Sequence, residues 1–124
     1  MTKKTTTMIL LITLMFVFVM CSDYAWYQYK SGSDLILLWH AYQEVESKKG
    51  NAPIDTLSDG IAFIYYVQGA VDARWNSLSV PSTAGTRQLC YMVGKYLDAH
   101  PNEWHENGAD LVVKALRGAF QQKK

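Results

Sequence analysis

Cys90, His100 and His105 are the residues of this chain whose types could carry covalent or metal chemistry. A cysteine nucleophile needs a base within reach, and a helix N-terminus or cationic surroundings to lower its pKa. Cys90 instead falls inside a helical pattern between Leu89 and Tyr91, the setting of a small buried apolar side chain. His100 and His105 with Glu103 or Glu106 would have to make a metal site from HPNEWH. Pro101 interrupts that string, which fits neither H-x-x-x-H nor H-E-x-x-H spacing, and His40 is remote. A histidine beside proline at a helix end caps carbonyls or packs. Asp55 with Asp59 and Glu103 with Glu106 are carboxylate pairs at helix starts, where the helix dipole favours them. Gly60, Gly69, Gly85, Gly94, Gly108 and Gly118 form no phosphate-cradling loop and are expected to mark close approaches of helices. No catalytic residue, metal ligand or cofactor is expected, and the chain does not read as an enzyme.

The elements that must position these residues read as helices throughout. In Asp59–Leu78, Ile61, Ile64, Val67, Val71, Trp75 and Leu78 recur at steps of three and four. Phe63, Ala62, Tyr65, Tyr66 and Ala70 fill much of the remaining circumference. A helix apolar nearly all round is one that others surround, so this segment is expected to be the central helix. Before it, Ser33 or Asp34 can cap a helix reaching Lys49, with Leu35, Leu38, Trp39, Tyr42 and Val45 on one face and Gly50-Asn51 at its end. Asp55 or Ser58 is expected to cap the central helix, and Ser79-Val80-Pro81 to end it. Ser82 or Thr83 opens a third helix whose apolar side is Leu89, Val93, Tyr96, Leu97 and His100, stopped by Pro101. After a connector at Asn102–His105, the last helix turns Leu111, Val112, Ala115, Leu116, Ala119 and Phe120 inward. Lys114, Arg117, Lys123 and Lys124 fall toward its C-terminal end, where positive charge suits the dipole. No segment alternates with period two. The expected fold is an all-α bundle of four main helices.

Bulk properties agree with one folded domain. The chain has 124 residues, of which 49% are hydrophobic and 13% aromatic, so it can build a core and is not disordered. Residues 2–7 (TKKTTT) are short and positive, and residues 8–20 (MILLITLMFVFVM) are an apolar stretch of thirteen. A basic segment followed by a short apolar run is the pattern of a secretory signal peptide. Residues 1–22 are therefore expected to be a cleaved signal and 23–124 a single helical domain. Cys21 sits where a bacterial lipoprotein carries its lipid-modified cysteine, but Met20 is not the small residue such a site requires. Lipidation at Cys21 is the alternative, and the one route to membrane attachment. A bridge between Cys21 and Cys90 needs Cys21 retained and unmodified. Removing Lys3 and Lys4 from the twelve basic residues leaves ten against eleven acidic ones, a net charge of −1 and no electrostatic case for nucleic acid. Residues 23–33 read as an irregular aromatic arm.

The segment from Ile61 to Phe120 resembles the Rap/Tai-type immunity proteins of bacterial type VI secretion. The residues carrying this are Tyr66-Val67-Gln68-Gly69-Ala70-Val71-Asp72, then Val80-Pro81, then Tyr96-Leu97-Asp98-Ala99-His100-Pro101, and finally Ala109 to Phe120. The resemblance implies a periplasmic all-helical protein that binds and inhibits a peptidoglycan amidase injected by other cells. In the family this is often done as a homodimer, with a protruding segment over the amidase cleft. Family members usually carry a cysteine at the position of Phe63 and its companion at that of Ser79. Their joint absence is what results if packing has replaced a bridge. The Gly before the motif Tyr is Tyr65 here, and the terminal Phe-Pro-Cys is Phe120-Gln121-Gln122.

An inhibitor of this kind works by surface complementarity, with exposed aromatic and Arg side chains as hot spots. The turn Trp75–Thr86 and the connector His100–Asn107 hold such residues, which makes Trp75, Arg87, Trp104 and His105 the candidate contacts. For Trp75 a place in the core is the stronger expectation. A small periplasmic stress chaperone, which would bind many unfolded clients, is the alternative function. An envelope enzyme using Cys90 is the third.

Overall fold

The computed structural model describes residues 2–22 and 30–121, with side chains for 2–13 and 30–121. It contains α1 (Lys3–Ser22), α2 (Gly32–Ser47), α3 (Ile54–Ala73), α4 (Thr86–Ala99) and α5 (Gly108–Gln121), with 3-10 turns at Trp75–Ser77 and Pro101–Glu103. No strand occurs among the described residues, and α2–α5 form the expected four-helix bundle. α1 has no substantial packing against them, and its Met8, Leu10 and Leu11 side chains are exposed. The aromatic arm expected at residues 23–33 falls largely outside the described residues.

α2 begins two residues earlier than the pattern predicted. Ser31 is the N-cap: its hydroxyl accepts from Asp34 N, and Asp34 Oδ2 accepts from Ser31 N at 2.8 Å. This reciprocal box satisfies two backbone donors and puts Asp34 in the first turn instead of at the cap. Gly32 belongs to that turn because a Cβ there would lie 2.7 Å from Trp104 Cα. The helix ends where Lys49 (φ 51°) and Gly50 (φ 82°) turn left-handed.

α3 starts after Pro53, with no side-chain cap, so Asp55 and Ser58 lie inside it. It also ends sooner, at Ala73, leaving Trp75 in a 3-10 turn and 50% exposed. Its buried face is Phe63, Val67, Ala70 and Val71, while Ile61 is 44% and Tyr65 69% exposed. The helix is therefore not surrounded on all sides. It shares the centre with α2, since each packs on the other three bundle helices.

Gly85 caps α4, and Ser82 and Thr83 lie in the turn before it, closed by Ala84 N donating to Pro81 O. Leu89, Cys90, Val93 and Leu97 face the core. Leu111, Val112, Ala115 and Leu116 do so from α5, whereas Ala119 is exposed and Phe120 half-buried. The last turn of α5 contains no basic residue; Lys114 instead reaches back to Glu103 and Glu106.

Trp39 is the hub of the core. Its ring centroid lies 5.7 Å from that of Tyr42, 5.6 Å from Phe63 and 5.4 Å from Tyr91. Its indole N–H donates to Asp98 Oδ2 at 3.0 Å, so the buried ring keeps its polar atom satisfied. A Cβ on Gly94 would sit 2.2 Å from Trp39 Cδ2, so α4 can cross there only on a bare Cα.

Candidate functional site

The connector between α4 and α5 is built from backbone upward. Pro101 opens its 3-10 turn, and Gly32 N, Ser33 N and Gly108 N donate to Glu106 O, Trp104 O and Lys30 O. These bonds staple the connector to the start of α2. His100 Nδ1 lies 2.8 Å from Tyr96 O, and its ring stacks on Tyr96 with centroids 4.0 Å apart. It therefore caps and packs. Tyr96 Oη donates to Glu103 Oε2 at 2.7 Å. That bond, with Lys114 beside it, holds the Glu103 carboxyl below its usual range, while burial and the same bond push the Tyr96 phenol up. The Trp104 indole N–H donates to Leu97 O at 2.8 Å, which leaves Trp104 half-buried against the core. His105 is exposed, with no hydrogen bond or ion pair among the described residues.

At the other end of α4, Arg87 pairs with Glu46 of α2 and lies 5.9 Å over the Tyr91 ring. Gln68 Nε2 donates to Thr86 Oγ1 at 3.0 Å, tying α3 to the same end. Trp75 stands beyond the end of α3, beside a recess of about 200 Å3 lined by Asp72, Arg74, Trp75 and Asn76. Arg87 and His105 are thus separated by the length of α4, roughly 20 Å. The four expected contact residues do not form one cluster.

Cys90 is a free thiol with no exposed surface, and burial pushes its pKa up to about 11. A thiol so placed is protonated at neutral pH, the opposite of an activated nucleophile. No group of three or more His, Cys, Asp or Glu suited to a metal occurs among the described residues.

A family model described as Rap1a immunity proteins matches residues 33–121. That span covers all of α2–α5 except Gly32 and makes up more than half of the chain. The chain belongs to the Rap1a immunity protein family. No curated protein and no solved structure matches it.

Within the family segment the quoted motifs do different things. Tyr66 is half-buried, its hydroxyl facing the bare Cα of Gly108. Phe63 is fully buried between Trp39 and Tyr42, which is the packing expected where a cysteine is missing; Ser79 is exposed. Gly69 overturns its expected role, since a Cβ there would meet nothing within 4 Å. The same is true of Gly85 and Gly118, while Gly32, Gly60, Gly94 and Gly108 make the close approaches. Asp72 and Pro81 are exposed, and Leu97 is in the core. The periodicity missed that Ile54, Ile61 and Tyr65 remain uncovered. The available signal was that α3 is apolar on two opposite sides.

Proposed function

We propose that the chain is exported to the periplasm, where it binds and inhibits a peptidoglycan-degrading amidase delivered by type VI secretion. Membership of an immunity family across the entire bundle is the observation that carries this reading. Immunity requires a stable complementary surface and no chemistry, which fits a core thiol held protonated and histidines occupied in capping or left unpaired. The leader adds support for the location. A run of large apolar side chains on α1, outside the bundle and exposed, suits a segment that is removed or handed to a membrane. Trp75, Arg87 and His105 are exposed side chains available for contact, with Trp104 contributing through its uncovered edge.

The test is to express the full chain with its leader and recover it from the periplasmic fraction, offering it tagged type VI amidase effectors. One effector is expected to co-purify, and Trp75→Ala to weaken its retention while leaving the fold intact. A chain that stays with the cytoplasmic fraction, or that retains no amidase, contradicts the reading.

A further inference from the structure

The outer side of α3 is apolar where no other helix covers it. Ile54 is 75%, Ile61 44% and Tyr65 69% exposed. At 100° per residue, these three and Asp72 fall within roughly 20° of one line along the helix, opposite Phe63 and Ala70. Single exposed hydrophobic residues are ordinary on a protein surface, but large ones in register along one helix mark a contact surface.

Charge states what kind of contact. α3 contains Asp55, Asp59 and Asp72 and no Lys or Arg. All three aspartates are exposed, and none forms an ion pair among the described residues. The glutamates Glu44, Glu46, Glu103 and Glu106, by contrast, each pair with a Lys or Arg of the bundle. Asp72 also lies in the last turn of its helix, where the dipole disfavours an anion. A locally unfavourable charge without a partner inside the fold is accounted for by a cation from outside it. The line of exposed residues runs directly into the recess beside Trp75, because Asp72 belongs to both.

We propose that the outer face of α3 docks a basic protein surface, one that places Lys or Arg opposite Asp55, Asp59 and Asp72 around an apolar centre meeting Ile61 and Tyr65. Resting on the immunity reading above, this makes that surface part of the toxin. A second copy of the chain fits less well, since pairing two such faces opposes acidic groups with no cation on either helix. Nucleic acid and anionic lipid are repelled for the same reason.

The test uses the full chain and whichever amidase effector it inhibits, with Kd measured at about 50 and about 300 mM salt, where screening differs strongly. Tyr65→Ala is expected to weaken binding about tenfold or more. The double variant Asp59→Lys, Asp72→Lys is expected to weaken it most at low salt and to flatten the salt dependence. Leu37→Ala, which removes an equally exposed side chain from α2, is expected to leave Kd unchanged. Every altered side chain is exposed, and unchanged thermal unfolding verifies that each variant folds. If the effector is inhibited but neither α3 variant alters Kd, the proposal is overturned and the immunity function stands. Should the wild-type chain bind no amidase, the function falls and the proposal falls with it.

Discussion

Gly94 and Gly69 lie on neighbouring helices, and their surroundings assign them opposite roles. Gly94 gives the Trp39 ring its place, because any Cβ there would enter the ring plane. Gly94→Ala must displace Trp39 from Tyr42, Phe63 and Asp98, and is expected to cost about 3 kcal/mol, at the high end for an overpacked core. Gly69 faces open space in the middle of α3. Gly69→Ala is therefore expected to stabilise by about 0.5–1 kcal/mol, through the backbone entropy that glycine loses in a helix. Urea unfolding of both variants reads the two signs directly. Nothing in the sequence separates these glycines. Both sit among apolar residues at helical spacing, and only the identity of the facing side chain distinguishes them. The pH dependence at this scale concerns Tyr42 and Cys90, whose burial pushes their pKa values up to about 12 and about 11. Both ionise sooner in the unfolded chain, so the native state is favoured below their ordinary values and loses that advantage as pH rises through the raised ones. Tyr42→Phe is expected to flatten the alkaline fall between about pH 10 and 12, as seen in urea midpoints across that window.

Helix existence was legible because four segments repeat apolar residues with helical period, and their cores at Leu35–Tyr42, Leu89–Leu97 and Leu111–Leu116 fall where the period places them. Helix starts were not. Ser31-Gly32-Ser33 resembles a breaker, yet Ser31 caps and Gly32 enters the helix under Trp104. At α3 the apolar pattern begins inside the element, while Pro53 fixes its true start. The same helix defeated the reading of its faces because two apolar stripes share it, one toward Trp39 and one toward solvent. The capping box gives an element-scale prediction. Ser31→Ala is expected to cost about 1 kcal/mol, measured by thermal unfolding at neutral pH. The Ser31 backbone N–H, then its hydroxyl, hold the Asp34 carboxyl below its usual range. That contribution is present above the ordinary carboxylate pKa and fades as pH falls through the lowered one. Ser31→Ala removes the hydroxyl share, so the gap between variant and wild type is expected to narrow at about pH 2.

As a whole, the molecule is a bundle whose charges are mostly settled internally. Glu46 with Arg87 ties α2 to α4, and Glu103 and Glu106 with Lys114 tie the connector to α5. The connector is further fixed by Tyr96 and Trp104, so His105 is carried on a firm base. α3 is where this internal pairing stops, with exposed aspartates and apolar side chains along one line. Family membership was legible in the order of short motifs, although the residues of those motifs divide between core and surface with no common task. Contact residues were less legible, because exposure is decided by which face a neighbour covers. The central claim is inhibition by binding. Its most direct measurement is peptidoglycan hydrolysis by purified type VI amidase effectors, followed while the full chain is added to each. Hydrolysis by one effector is expected to fall linearly with added chain and to stop at a fixed stoichiometric ratio. Hydrolysis that continues unchanged for effectors of every amidase class would contradict the account.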